Sequence, residues 1–316
     1  MSDYRGSRRR PESRTALRLA LVAVILLGAV LAGLAIIPGS PFRSKTVAEW
    51  GHAASTGVTT GTPKQPASRS ERSAGAASPS ALPPLEIAPA DVKVDATGWW
   101  SWAMQDTRTG KIYGSKNLGE TNTTASMIKS WIAADFLRRS AERGETPSDA
   151  RMDQVSTMIR DSDNDAAQDL WETIGGAPAI DRLIEICKLT DSSGYKNLWS
   201  NTRLSPRDIT RLGKCIADGR AAGPKWTNYL LNEMRNVRGT GDFGIRKAFP
   251  ADEQKKIAIK NGWVDRQAVR EYHVSCLAIG DGWTVGVMAR YPINLDYTYG
   301  ARICESVGRQ LLAAAK

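Results

Sequence analysis

Ser126 and Lys129 stand three residues apart in the segment Ser-Met-Ile-Lys, a spacing that puts a hydroxyl and an amine on one face wherever the segment is helical. A serine hydroxyl is a weak nucleophile at neutral pH and needs a base. A lysine can be that base only where burial or neighbouring charge lowers its pKa. The pair therefore suits acyl transfer through a serine ester, with backbone N–H groups at the helix start available to the developing oxyanion. Alone it is a weak signal, because a capping serine followed by a solvated lysine is commonplace. Two further groups strengthen it, Ser162-Asp163-Asn164 and Lys260-Asn261-Gly262. Each has a plainer reading as well: Asp163 as a helix cap, Asn164 as a turn residue, Lys260 as an exposed strand charge.

These residues must be positioned by elements that the sequence pattern locates. Trp99 to Asp106 and Lys111 to Gly114 read as strands joined by a turn at Thr107 to Gly110. Ile128, Trp131, Ile132, Phe136 and Leu137 recur at helical spacing, so a helix starts close to Ser126. Met152 to Arg160 forms a short helix, and another runs from Asp163 or Asn164 to about Ile174, where Gly175 and Gly176 end it. Pro178 and Pro206 each open a helix at a position that tolerates a missing N–H, the second ending near Gly219. Lys256 to Lys260, Tyr272 to Ile279 and Trp283 to Tyr291 are β-compatible, the last two joined through Gly280-Asp281-Gly282, and Ile303 to Ala314 is a terminal helix. The expected class is α+β: an antiparallel sheet assembled from both ends of the domain and flanked by helices, plus an all-helical lobe from its middle.

With these motifs in this order, on a helix start, a loop and a strand, residues 98 to 314 resemble the class A serine beta-lactamases and the penicillin-binding D-alanyl-D-alanine peptidases. Met158 to Gly176 and Thr202 to Asp208 are similar to further segments of that family. The resemblance implies a beta-lactamase/transpeptidase-like fold. It also implies that Ser126 is acylated, that Lys129 takes its proton and that Ser162 relays a proton to the leaving group. Asn164 would bind the acyl amide and help hold Lys129, while Lys260 would set the field of the cleft and help fix an anionic group. The backbone N–H groups of Ser126 and Trp263 would form the oxyanion hole. Asn261, Gly262 and Trp263 would contact substrate. Two departures from the family pattern stand out. The family's deacylating glutamate has no counterpart between Leu189 and Pro206, where Asp191 is the only acid, and Asn261 replaces the usual Thr or Ser.

The remainder of the chain differs in kind. Arg5, Arg8, Arg9, Arg10, Arg14 and Arg18 precede an uncharged apolar run at 19–38, long enough to cross a bilayer once. A basic cytoplasmic segment 1–18, a transmembrane anchor or a cleaved export signal at 19–38, a disordered Ser/Thr/Pro/Gly/Ala-rich linker at 39–90 and a folded domain at 91–316 are expected. This places the domain outside the membrane, single-pass or secreted. Residues 1–90 hold eleven Lys or Arg and five Asp or Glu of the net +10, leaving about +4 for the domain. That balance, with no basic tract interleaved with aromatics, excludes nucleic acid as a partner. His52 falls in the linker, and His273 is the domain's one histidine. With no Cys-x-x-Cys pair, neither a metal nor another cofactor is expected.

Four cysteines allow three pairings. Cys187 with Cys215 joins the apolar sides of two mid-chain helices, and Cys276 with Cys304 joins a central strand to the terminal helix, so these two bonds are expected. The functional expectation is a monomeric enzyme of cell-wall metabolism, acting on a peptidoglycan stem peptide ending in D-alanine and poor at beta-lactam turnover. Its alternatives are a genuine class A-like beta-lactamase acting on beta-lactam-like small molecules, and a weakly active or inactive binding or scaffold protein of the cell envelope.

Overall fold

In the computed structural model, which describes residues 82–195 and 198–316, the sheet draws its strands from both ends of the domain. The strands are β1 (Trp99–Asp106), β2 (Ile112–Gly114), β3 (Asn122–Thr123), β4 (Arg203–Leu204), β5 (Ala258–Arg266), β6 (Glu271–Gly280) and β7 (Trp283–Pro292). Five of them make an antiparallel sheet in the order β2-β1-β7-β6-β5, while β3 and β4 pair separately. β1 thus lies between β2 and β7, which closes the first strand of the domain against the last. The β6–β7 connection is a two-residue turn, Asp281-Gly282, in which Gly282 takes a φ of 75°.

The helices are α1 (Lys129–Glu142), α2 (Asp149–Arg160), α3 (Asn164–Thr173), α4 (Pro178–Cys187), α5 (Pro206–Ala217), α6 (Thr227–Arg235), the single turn α7 (Ala251–Gln254) and α8 (Tyr297–Ala313). Sequence chemistry accounts for several of their ends. Asp163 caps α3 by accepting from Ala166 N at 2.7 Å, and Ser205 caps α5, in which Pro206 is the first residue. α5 buries Ile209, Leu212 and Ile216 against the sheet. It can approach closely because Gly213 and Gly286 lack side chains: a Cβ on Gly286 would lie 2.7 Å from Ile209. One hydrophobic core joins the sheet to the helices of the mid-chain lobe.

Several elements differ from expectation, three of them as follows. β5 continues six residues past Lys260, to Arg266, because its ladder with β6 runs from Ala258↔Ile279 to Arg266↔Glu271 and outweighs the poor strand propensity of Asn261, Gly262 and Asp265. α8 starts at Tyr297 rather than Ile303. Its first turn is fixed by the Asp296 carboxylate accepting from Thr298 N at 2.8 Å and by Gly300 N donating to the Tyr291 hydroxyl at 3.0 Å, not by an apolar stripe. α6 has no counterpart among the expected elements; its buried stripe is only Leu230, Leu231 and Met234 in nine residues.

The expected membrane anchor is corrected. Among the described residues no helix is long and apolar enough to cross a membrane, and the longest, α8, has 17 residues and carries Arg302, Glu305 and Arg309. The apolar run 19–38 on which that expectation rests lies outside the described residues, as do 1–18 and most of the expected linker. The membrane as a partner and the single-pass or secreted placement therefore have no support among the described residues. The last residues of the expected linker pack on the domain: Ile87 is buried, and Ala88 N donates to Leu311 O at 2.9 Å.

Both expected disulfides are present. Cys187–Cys215 joins α4 to α5 with Cα atoms 5.4 Å apart, and Cys276–Cys304 joins β6 to α8 at 6.4 Å. Each closes 28 residues. Loop entropy for that length gives about 3 to 4 kcal/mol per bond. Replacing Cys276 and Cys304 together by serine should lower the melting temperature by about 6 to 16 °C while leaving the circular dichroism of the folded state unchanged. An unaltered melting temperature would mean that the packing of α8 on β6 needs no staple.

Candidate active site

The site begins at a 3-10 turn, Ala125–Ile128, which presents Ser126 half-buried and leads directly into α1. Ala125 holds a φ of 46°, a conformation that costs a residue with a Cβ about 1 to 3 kcal/mol and persists only where the surroundings impose it. Here they do. Ser275 Oγ on β6 donates to the carbonyl region of Thr123 and Thr124 (3.2 and 3.1 Å), and Thr124 N and Oγ1 both donate to Thr202 O (2.9 and 3.1 Å). β5 is the edge strand, and at Gly262 it meets this turn almost backbone to backbone. A Cβ on Gly262 would lie 2.2 Å from Thr124 O and 2.7 Å from Ser126 N.

Lys129 is fully buried at the start of α1. Its Nζ donates to Ser162 O at 2.6 Å and to Asn164 Oδ1 at 2.7 Å, and stands 3.5 Å from Ser162 Oγ. Lys260, equally buried on β5, donates to the same Ser162 Oγ at 3.0 Å and to Asn261 O at 3.1 Å. Ser162 reaches this position through a φ of 61°, the second strained residue of the site. Burial drives the Lys129 pKa down to about 7, partly opposed by the negative charge of Asp163. Lys260 is driven well below the ordinary amine value by burial and then by the positive charge of Lys129. Two amines thus flank one hydroxyl, an arrangement suited to taking up and passing on protons near neutrality.

Hydrogen bonds gather Lys129, Ser162, Asn164 and Lys260 around one place, with the Ser126 backbone alongside at Gly262. Ser126 Oγ itself makes no hydrogen bond among the described residues. Asn261 faces elsewhere: its amide nitrogen donates to Gly241 O (3.1 Å) and Phe243 O (2.8 Å), so it secures the 3-10 turn Gly239–Gly241 and the residues after it instead of offering those donors to a substrate carboxylate. Trp263 packs edge-on to Phe243 at 5.7 Å and tilted to Tyr297 at 6.2 Å, half-buried beside the strand. His273 lies apart, its ring nitrogens bonded to Thr123 Oγ1 (2.6 Å) and Glu271 Oε2 (3.1 Å).

One feature had no sequence signal, and one acid noted in the sequence is otherwise engaged. The Trp199 indole lies 4.9 Å from Lys129 Nζ, a contact made through space across seventy residues of chain. The acid is Asp191, whose carboxylate is taken up by Arg207 (2.9 and 2.7 Å) and Ser205 (2.6 Å), with its pKa below the usual carboxylate range because those bonds outweigh burial. The loop that holds both is tied down by buried Asp208, which accepts from the backbone N–H groups of Thr190 and Asp191. A groove of about 910 Å³ opens at the β6–β7 turn, lined by Arg108, Lys214, Arg235 and Lys256, and it contains none of the candidate residues.

A family model described as the beta-lactamase enzyme family matches residues 151–313, just over half of the chain. The match includes Ser162, Asn164 and Lys260, while Ser126 and Lys129 precede it. LppW, named as a lipoprotein in Mycobacterium tuberculosis and Mycobacterium bovis, is 26% identical over 185 residues, 57% of this chain; the match spans 59% of the length of that relative. Among solved structures, a beta-lactamase from Chitinophaga pinensis superimposes with a TM-score of 0.58 at 18% identity, over 69% of this chain and 94% of that one. A beta-lactamase from Burkholderia vietnamiensis gives 0.57 at 19% identity, over 69% and 91%. At these identities the likeness shows the fold.

The contact at Gly262 generates a direct test. Gly262→Ala must push β5 away from the Ser126 turn, at a cost of about 1 to 3 kcal/mol, and should slow acylation of Ser126 more than it weakens substrate binding. Measuring the acylation rate against substrate concentration separates the two. A variant that acylates at the wild-type rate would show that the close approach does not position the nucleophile.

Proposed function

The chain belongs to the beta-lactamase enzyme family, and from that premise we propose that it is a serine acyl-enzyme hydrolase or D-alanyl-D-alanine peptidase-like enzyme that acylates Ser126 readily and turns over beta-lactams slowly. One observation carries the proposal: Ser162 Oγ lies 3.0 Å from Lys260 Nζ and 3.5 Å from Lys129 Nζ, both amines buried.

In this reading the neutral Lys129 amine takes the Ser126 Oγ proton as Oγ bonds to the substrate carbonyl carbon. The resulting oxyanion is met by the backbone N–H groups of Ser126 and Trp263. As the carbon–nitrogen bond breaks, Ser162 Oγ gives its proton to the departing amine and regains one from the lysine pair. Asn164 keeps Lys129 in place, and Lys260, whose pKa burial lowers, donates to Ser162 Oγ and takes on positive charge when an anionic substrate group offsets that burial. Hydrolysis of the ester then needs a base for water. Between Leu189 and Pro206 the only carboxylate is Asp191, already held by Arg207 and Ser205. A general base is typically worth about 10² to 10⁴ in rate, so the lack of an unengaged carboxylate supports slow deacylation. The favoured acyl donor is a peptide ending in D-alanyl-D-alanine, with beta-lactams as its reactive mimics. The binding or scaffold reading draws on one observation, the diversion of the Asn261 donors to Gly241 and Phe243.

Intact-mass measurement after exposure to benzylpenicillin should give an adduct that persists for minutes and is absent in Ser126→Ala. No adduct with penicillin or a D-alanyl-D-alanine peptide would transfer the preference to the binding reading. The pH dependence has a definite sign. The base acts when neutral, so with Lys129 at about 7 the acylation rate should rise about tenfold per unit as pH increases toward 7 and level off above it. Lys129→Ala should remove that limb and most of the acylation, with the fold retained. A rate independent of pH between 5 and about 8 would assign the base to another group.

A further inference from the structure

Among the described residues every polar partner of Lys129 Nζ comes from Ser162 or Asn164. A different part of the chain covers it from elsewhere: the 3-10 turn Trp199–Asn201 packs on the Ser126 turn and lays the Trp199 indole 4.9 Å from the amine. We infer that Trp199 is a positioning residue that seals Lys129 against water and thereby prolongs the life of the Ser126 ester. The inference rests on the acyl-enzyme reading above and adds to it the element that controls its second step.

The indole is fixed, not merely near. It is 7% exposed, and its Nε1 donates to Gln168 Oε1 on α3 at 3.2 Å. The turn that carries it is held by Arg266 of β5, donating to Ser200 O at 3.1 Å, and by Thr124, which donates to Thr202 O from the segment just before Ser126. The ring is therefore tied to three elements that build the site. Hydrolysis of the ester requires a water oxygen to bond to the carbonyl carbon while the bond from that carbon to Oγ breaks. The water gives up one proton to a base, which returns it to Oγ, and the acid is released. Lys129 is the amine placed for that transfer. An ordered water needs two to four polar partners, and an aromatic face against the amine offers none. With Asp191 bound to Arg207 and Ser205, the loop supplies no carboxylate in compensation.

The test uses the wild-type protein with Trp199→Ala, Trp199→Phe and Gln168→Ala, with benzylpenicillin as the probe. Acylation and deacylation rates are read separately by intact mass. Trp199→Ala should raise the ratio of deacylation to acylation about tenfold or more, and Trp199→Phe, which keeps a ring, should raise it less. A folded Trp199→Ala variant with an unchanged ratio overturns the inference. Where Trp199→Ala fails to fold, Gln168→Ala decides: release of Nε1 should speed deacylation about threefold, and no acceleration counts against the seal. A second readout needs no acylation. Solvent exchange of the Lys129 Nζ hydrogens, followed by NMR on lysine-¹⁵N protein at pH 6 and assigned with Lys129→Ala, should quicken about tenfold in Trp199→Ala. If the wild type forms no adduct, the acyl-enzyme reading fails while this exchange still judges the seal; equal exchange rates overturn it.

Discussion

A primary amine taken out of water loses the solvation that stabilises its charge, and this domain buries two of them, Lys129 and Lys260, on either side of the Ser162 hydroxyl. Among the described residues neither has a carboxylate in hydrogen-bond contact. Lys129 is held by a carbonyl, an amide oxygen and a hydroxyl, with Asp163 acting on it only through space. Under these conditions the charged forms are disfavoured, and each amine makes the charge of the other more costly. Burial and crowding thus lower both pKa values, that of Lys129 to about 7, and the rest of the domain serves to keep the pair dry.

That service is mechanical. Two lobes must meet at a defined distance, because Ser162 stands at the entry to α3 while Lys260 lies on the edge strand of the sheet. Gly262 sets the distance by letting β5 touch the backbone of the Ser126 turn. The strained residues Ala125 and Ser162 lie next to Ser126 and between the two lysines, where hydrogen bonds from Ser275, Thr124 and Lys129 hold them. α5, seated against β7 through Gly213 and Gly286, supports the sheet, and the two disulfides pin α4 to α5 and β6 to α8.

What is legible in the sequence is the part encoded locally. Ser126 with Lys129 and Ser162 with Asn164 are short-range spacings, the alternation of β1, β6 and β7 is a short-range pattern, and the cysteine pairing follows from which faces the cysteines occupy. The illegible parts depend on contacts between distant segments. β5 extends to Arg266 because β6 offers a ladder, although Asn261, Gly262 and Asp265 do not favour a strand. Asn261 has a type suited to a substrate and a position that spends its donors on the turn beside it. Trp199 is one tryptophan of ten in the sequence, and nothing but the fold sets it beside Lys129. The apolar run 19–38 shows the converse: a strong local pattern falls outside the described residues, and no described helix is suited to span a membrane.

The central claim is that Lys129 is a neutral amine at working pH, and direct titration of its Nζ tests it most closely. Lysine-selective ¹⁵N or ¹³C labelling, with Lys129→Ala to assign the signal, follows that one group from pH 5 to pH 11. The expected midpoint is near 7, where burial places it. A midpoint near the ordinary lysine value of about 10.4 would contradict the claim, since the amine would then be charged whenever Ser126 needs a base.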